Sequence, residues 1–356
     1  MWPKVSIIWL NYNSSKIMPL VLESLKSILS LDYPLDKIEL IVVDNCSNDD
    51  SFERIKEFLE KRNGLKKKII RLNKNLGFTG GNNIGFKVRD KESKYVLLLN
   101  NDAIIFQNGL KSLVEYAEIN SNVACLQGVV LKYGTRLIDT AGNLLDEFLH
   151  SHFIGAGHEY PWVLRKPIYV TYVDGSSALY RVKSLMKCLG DKLFIDEFFG
   201  YSEDSALGLM MWNYGYKSVA IPEPVAAHAR NLTFRSKTAL TVYLSKRNRI
   251  ALALNTNTRY KDVVLIYELN YMLRHIAAST LKMLPKSYVW AEARSIIDGI
   301  KLARKLRSKG IFIDIYKAPV IRVPIRYIET FFAARRVATK YFDGWDVRVL
   351  NSLTVE

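Results

Sequence analysis

Residues 1–130 alternate two patterns. Short, uninterrupted apolar runs occur at "VSIIWL" (5–10), "IELIVV" (38–43), "KKIIRL" (67–72) and "YVLLL" (95–99). Between them, "IMPLVLESLKSILSL", "FERIKEFLEKR" and "NIGFKVRD" carry apolar residues at helical intervals. Apolar runs that do not alternate, separated by helices, predict parallel strands covered on both faces. The fold class that follows is an open α/β sheet flanked by helices.

Each run stops in polar residues. These are Asn11 and Asn13, then Asp44, Asn45 and Ser47, then Asn73 and Asn75, then Asn100, Asn101 and Asp102. Turn chemistry alone explains any one such cluster, because Asn and Asp suit turns. Four clusters at four carboxyl ends are better explained by a ligand crevice, which in open α/β sheets lies there.

The pattern changes from about residue 165. "PIYVTYVDGSSALYRV" reads as a strand broken by a turn at Asp174-Gly175. "EFFGYSEDSALGLMMWNYG" predicts a helix that opens on Glu203 and Asp204, with Ser202 as N-cap and Gly215 as its stop. "YKSVAIP" is a further strand, with His228 expected a few residues beyond it. From about 237 the chain is helical and basic. Neither an internal repeat nor a low-complexity tract occurs.

Charge sharpens this division. The formal net charge is +16, yet residues 236–356 hold 22 Lys and Arg against 9 Asp and Glu, so the first 235 residues are close to neutral. A basic region of this kind implies an anionic partner. "VVLIYELNYMLRHIAASTLKML" is apolar but interrupted by Glu268, Arg274 and Lys282, and falls short of the roughly 20 apolar residues of a spanning helix. "IIDGIKLARKLRSKG" has the spacing of a basic amphipathic helix, either packed on the core or lying on a membrane surface. The opening "MWPKVSIIWLNYN" lacks the pattern of a signal peptide. Cys46, Cys125 and Cys188 have no metal spacing and are odd in number, as expected of reduced thiols in a cytoplasmic protein.

Several chemistries are excluded. The first turn, "NYNSSK", has no glycine and so no dinucleotide fingerprint. "GGNNIGFK" places Lys87 one position too late for a P-loop and lacks its Ser/Thr. "DGSSA" is not a nucleophile elbow. A sugar-nucleotide site fits better, because a diphosphate needs a hard divalent cation. Asp102 at a strand end is a candidate ligand, and His228 is a second that suits Mn²⁺, although a lone His is often structural. Glu203-Asp204 at a helix start is a candidate general base, or simply a helix cap.

The segments "VSIIWLNYN", "IELIVVDNCSNDDS", "NLGFTGGNNIGF", "LLLNNDAII", "DGSSALYR", "YSEDSALGLMMWNYGYKSVAIPEPVAAH" and "SKRNRI", in that order, resemble family 2 glycosyltransferases of the GT-A fold. The nearest subgroup is the rhamnosyltransferase-like enzymes, and the likeness covers about residues 1–255. It implies a Rossmann-like mixed sheet flanked by helices (1–235), followed by a basic, mostly helical, membrane-associated region (236–356). It also implies inverting transfer from a nucleotide-activated sugar, with UDP-, GDP- and dTDP-sugars all open. By match to the family motifs, Asn11, Tyr12 and Asp44 hold base and ribose, and Asn82 lies near the donor where many relatives have Arg. Asn100-Asn101-Asp102 matches the D-x-D-type motif with only its last acid kept. Asp102 and His228 are then the ligands of Mn²⁺ or Mg²⁺, and Asn101 faces the donor. Asp204 matches the catalytic base, with Glu203 its neighbour. The acceptor expected is a glycan or lipid-linked precursor at the inner face of the cell membrane. The competing reading is a membrane-associated scaffold on a degenerate version of the fold. Nucleic acid is not expected as a partner, because no zinc spacing, helix-turn-helix or aromatic RNA-binding motif is found.

Overall fold

The apolar runs become β1 (Val5–Asn11), β2 (Ile38–Asp44), β3 (Lys66–Arg71) and β4 (Tyr95–Asn100) in a computed structural model that describes residues 2–230, 238–281, 285–323 and 347–355. They alternate with α1 (Met18–Leu29), α2 (Ser51–Glu60) and α3 (Gly77–Val88). β1 pairs in parallel with both β2 and β4, and β2 with β3. β1 and β2 are buried along almost their whole length, as expected. β3 is not covered on both faces, because it is the edge of the sheet. It protects that edge with Lys66 and Lys68, paired to Asp90 at 2.8 Å and Glu39 at 2.9 Å.

α3 begins well before "NIGFKVRD" and takes in the glycine-rich stretch, which reads in sequence as a loop. The reason is close packing. A Cβ on Gly81 would lie 2.5 Å from the Leu10 side chain, and one on Gly85 2.6 Å from that of Ile8. Glycine here lets the helix lie directly on β1, at some cost in helix propensity.

The second half adds β5 (Ala103–Ile105), α4 (Gly109–Ile119), β6 (Val123–Lys132), β7 (Ile138–Thr140), β8 (Asn143–Asp146), β9 (Ser151–Phe153), β10 (Ile168–Tyr169), β11 (Ser177–Arg181), α5 (Val182–Leu189), α6 (Glu203–Asn213) and β12 (Lys217–His228). The main sheet runs β10-β12-β6-β11-β4-β1-β2-β3, with β5 on β12 and β7 on β6. β11 is antiparallel to both β4 and β6, so the sheet is mixed. α6 ends at Gly215, whose φ of +82° only glycine adopts readily. Its start differs from expectation. Ser202 precedes Glu203 but is left-handed (φ +66°) and its side chain makes no capping bond. Gly208 brings α6 against the chain at Tyr172, where a Cβ would approach the Tyr172 Cβ to 2.4 Å.

The basic region forms α7 (Ala239–Leu254), α8 (Lys261–Thr280), α9 (Lys286–Ser308), β13 (Val320–Ile321) and α10 (Val347–Ser352). The expected boundary at 235 lies outside the described residues. The helices share a core with the sheet, since Ala251, Leu252, Leu302 and Leu306 belong to the same cluster as Ile8 and Phe86. Buried Asn248 on α7 donates through Nδ2 to the carbonyls of Phe198, Gly200 and Tyr201. Glu268 is not a surface interruption of α8 but a buried residue. Among the described residues, no helix is long and apolar enough to cross a membrane.

Candidate active site

The carboxyl ends of β1 and β2 place Asn11 and Asp44 side by side in register. Both are fully buried. Asn11 Nδ2 donates to Asp44 Oδ1 at 2.8 Å, Ser51 Oγ at 3.0 Å and Ser47 Oγ at 3.2 Å. Its Oδ1 accepts from Ser14 Oγ at 2.5 Å and from Asn101 Nδ2 at 3.3 Å. Asp44 also accepts from the backbone N–H and hydroxyl of Ser47, at 3.0 and 2.6 Å. This corner therefore ties the loops after β1, β2 and β4 together with satisfied polar groups. Tyr12 stands beside it, half-buried. Asn82 is buried in α3, where its Nδ2 donates to the Phe78 carbonyl one turn back. Its neighbour Asn83 bonds the backbone at Leu193 and Phe194 and the Asp196 side chain, pinning 193–196 against α3.

At the end of β4, Asp102 meets His228, with Oδ1 3.1 Å from Nε2. His228 is the last residue of β12 itself rather than a residue beyond it, and it pairs with Ala103 of β5. The other ring nitrogen, Nδ1, lies 3.4 Å from Asp139 Oδ2. Burial alone would lower the His228 pKa, but the bonds to Asp102 and Asp139 prevail and raise it to about 9. The pair also suits a cation. Two groups at adjacent corners of an ion with bonds of ~2.1 Å lie about 3 Å apart. A carboxylate behind the second ring nitrogen is the usual support of a metal-bound His. Among the described residues, no cluster of three or more His, Cys, Asp or Glu side chains surrounds one cation position.

The turn at 174–176 joins this corner to the carboxylates of α6. Arg230 Nε donates to both oxygens of Asp139, at 3.0 and 2.9 Å, and its Nη2 donates to Asp174 Oδ2 at 2.9 Å. The Gly175 N–H donates to Asp204 Oδ2 at 3.1 Å. The Ser176 carbonyl accepts the N–H of Asn100 at 3.0 Å. A Cβ at Gly175 would lie 2.8 Å from Asp204 Oδ1, so glycine is needed for the turn to reach the carboxylate. Asp174 is held in place by its N–H bond to Gln127 Oε1 at 2.8 Å. Despite burial, Arg230 and then His228 keep its carboxyl well below the usual range.

Glu203 and Asp204 behave in the opposite sense. Burial is the largest cause and pushes Glu203 up to about 7, with the Asp174 charge adding to it. Asp204 is raised well above an ordinary carboxylate, by burial and then by Glu203 and Asp174. Neither Glu203 Oε2 nor Asp204 Oδ1 has a hydrogen-bond partner. Adjacent carboxylates with raised proton affinity and free oxygens can accept a proton from a hydroxyl near neutral pH.

The sequence singles out the Glu203–Asp204 pair, Asp102 with His228, and the Asn11–Asp44 corner, but not Asp139, Asp174, Arg230 or Asn83. Asp174 was visible only as a turn residue, and Asp139 lies in a stretch with no marked pattern. Arg230, two residues after His228, was the one with a usable signal.

Residues 6–189 match the family model described as glycosyl transferase family 2. A stretch of 116 residues is 31% identical to a poly(ribitol-phosphate) beta-N-acetylglucosaminyltransferase, TarS, of Staphylococcus aureus. It covers 32% of this chain and only 19% of that relative. Among solved structures, GalNAc-T7 with UDP, GalNAc and Mn²⁺ superposes with a TM-score of 0.62 at 13% identity, over 97% of this chain and 58% of that one. A mannosyltransferase of Pyrobaculum calidifontis with GDP-Man and Mn²⁺ gives 0.53 at 15% identity, over 99% and 84%. At such identities the likeness is one of fold, and the fold shared is GT-A.

Proposed function

The chain belongs to glycosyl transferase family 2, and on that premise we propose that it moves a sugar from a nucleoside diphosphate to an acceptor hydroxyl with inversion at the anomeric carbon. One observation carries this reading. A continuous series of hydrogen bonds leads from Asp102 and His228, through Asp139, Arg230 and Asp174, to the turn that holds Asp204. A cation-binding corner and a proton-accepting corner are thereby held at a set separation.

In this reading Asn11, Tyr12 and Asp44 hold the base and ribose, and Asn82 and Asn101 border the donor. Asp204 Oδ1 takes the proton of the acceptor hydroxyl as its oxygen attacks from the face opposite the leaving group. Burial raises the proton affinity of Asp204, and Glu203 and Asp174 add to it by like-charge repulsion. Asp102 and His228 would hold Mn²⁺ or Mg²⁺, which when bound neutralises charge on the leaving diphosphate. The relatives named above carry UDP or GDP-Man with Mn²⁺, which favours a nucleotide-sugar donor. The surplus of cations after residue 235 supports an acceptor that is lipid-linked or at a membrane, with the protein peripheral on the cytoplasmic face.

A thermal-shift screen of UDP-, GDP- and dTDP-sugars with and without Mn²⁺ tests the reading. One donor should raise Tm by roughly 4 °C at a hundredfold excess over Kd. Asp102→Ala should abolish the Mn²⁺-dependent part of that shift. If no nucleotide sugar shifts the wild type, the proposal fails.

A further inference from the structure

We propose that the outer face of α8, with adjoining residues of α9, is an anionic-lipid-binding surface that lies in the plane of the bilayer interface. This rests on the membrane-side reading above and names the face that makes the contact.

The helix is unusual on both faces: Val264 reaches the core, but buried charge lies beside it. Its inward face carries Glu268, which is 1% exposed. Lys246 of α7 bridges Glu268 at 3.0 Å and Glu292 of α9 at 2.9 Å, and His275 meets Glu292 at 2.8 Å. Lys246 also lies 3.9 Å from the Tyr271 ring centroid. The inward polar face is thus built from paired charges. The outward face carries Ile266, Leu269, Leu273 and Ile276, spaced as one stripe and 39% to 59% exposed. On α9, Trp290 (75%) and Ile297 (57%), seven residues apart and so on one side of that helix, are also exposed. A helix whose outer face meets only water carries polar residues there, not an apolar stripe. A contiguous exposed apolar patch marks a surface that meets something apolar.

Charge selects the occupant. Arg274 and Arg304 are exposed on the same two helices, and Arg294 and Lys301 flank Asp298 at 3.2 and 3.9 Å, two cations to one acid, in a region of 22 cationic and 9 acidic side chains. A second copy would bring like charge against like, whereas an anionic phospholipid surface attracts the cations and admits the stripe. A Trp beside cations suits the headgroup level. No described helix is long and apolar enough to cross a membrane, which leaves α8 in the plane of the surface, with ~30 Å of helix along it.

The test is flotation of the full chain with phosphatidylglycerol–phosphatidylcholine vesicles and with pure phosphatidylcholine vesicles. It is run beside the double variant Leu269→Glu/Leu273→Glu and the control Ile119→Glu, an exposed α4 position. The wild type and the control should float with the anionic vesicles, less at high salt and weakly with neutral ones. The double variant should bind at least about 30-fold more weakly, with an unchanged circular-dichroism melt. Failure of the wild type to float, or equal flotation of the double variant, overturns the proposal. So does a wild-type dimer in sedimentation that the double variant converts to monomer, since the face would then be a self-interface. Flotation involves no sugar transfer, so its failure leaves the transferase reading untouched, and an inactive donor reaction leaves this one untouched.

Discussion

The Asn11–Asp44 corner and the Glu203–Asp204 corner are both buried and polar, yet they are finished to different degrees. In the first, each carboxylate oxygen of Asp44 has a donor and Asn11 bridges three loops. In the second, Glu203 Oε2 and Asp204 Oδ1 have no partner, and burial raises both proton affinities, with the Asp174 charge adding at Glu203 and the Glu203 and Asp174 charges adding at Asp204. A satisfied corner is rigid and serves recognition without further rearrangement. An unsatisfied one stores unfavourable free energy that proton transfer can relieve, which suits chemistry. The lesson is to ask of each buried polar group what it still lacks.

The contrast breaks most decisively at Asp204. Asp204→Asn should lower turnover about 10²–10⁴-fold while calorimetric titration shows donor binding nearly intact. Normal turnover in that variant would remove the base from Asp204. Next in size is the tie between the corners. Arg230→Met leaves Asp139 and Asp174 without their bridging guanidinium, with only His228 as a nearby cation, and should cost about 3 kcal/mol in urea unfolding. A loss within error would mean that the guanidinium is not what holds the two carboxylates.

A pH series sharpens the contrast further. The folded pKa of Glu203, about 7, exceeds its ordinary 4.5. Its contribution to stability is therefore fully present below about 4.5 and is lost as pH rises through about 7. Glu203→Gln should gain on the wild type across that window, by about 3 kcal/mol at its upper end, and level off above it. A difference in Tm that does not change with pH would contradict this. The smallest effect is expected at the satisfied corner. Asp44→Asn turns one acceptor into a donor facing donors and should cost about 1 kcal/mol, with nucleotide affinity falling more than turnover. A larger fall in turnover than in affinity would erase the distinction between the corners.

Much of the first half was legible because its signals are local. β1, β2, β4 and α2 follow from continuous apolar runs and helical spacing, and the polar strand ends follow from the crevice rule. The start of α3 was not legible, since glycines that normally break a helix are here required by the closeness of β1 at Leu10 and Ile8. The exposure of β3 depends on which strand ends the sheet, a long-range outcome. The links through Asp139 and Arg230 cross 91 residues of sequence, and no window of pattern reading spans that distance. Glu268 reads in sequence only as a break in an apolar run, because hydropathy counts a residue without its direction. The three cysteines were legible as free thiols, and the structure leaves Cys46, Cys125 and Cys188 unpaired.

The turn at Asp174, Gly175 and Ser176 bears on how such an enzyme could be re-engineered. Each of its three residues holds a different part of the site: the Arg230 bridge, the Asp204 carboxylate and the end of β4. A library that varies this turn to admit a new acceptor would disturb donor handling in the same step, so improved and broken traits would be inherited together. Diversity is better placed at a side chain outside this turn, such as the half-buried Tyr12, on what we propose is the donor side. Changes of donor and of acceptor could then be selected one at a time.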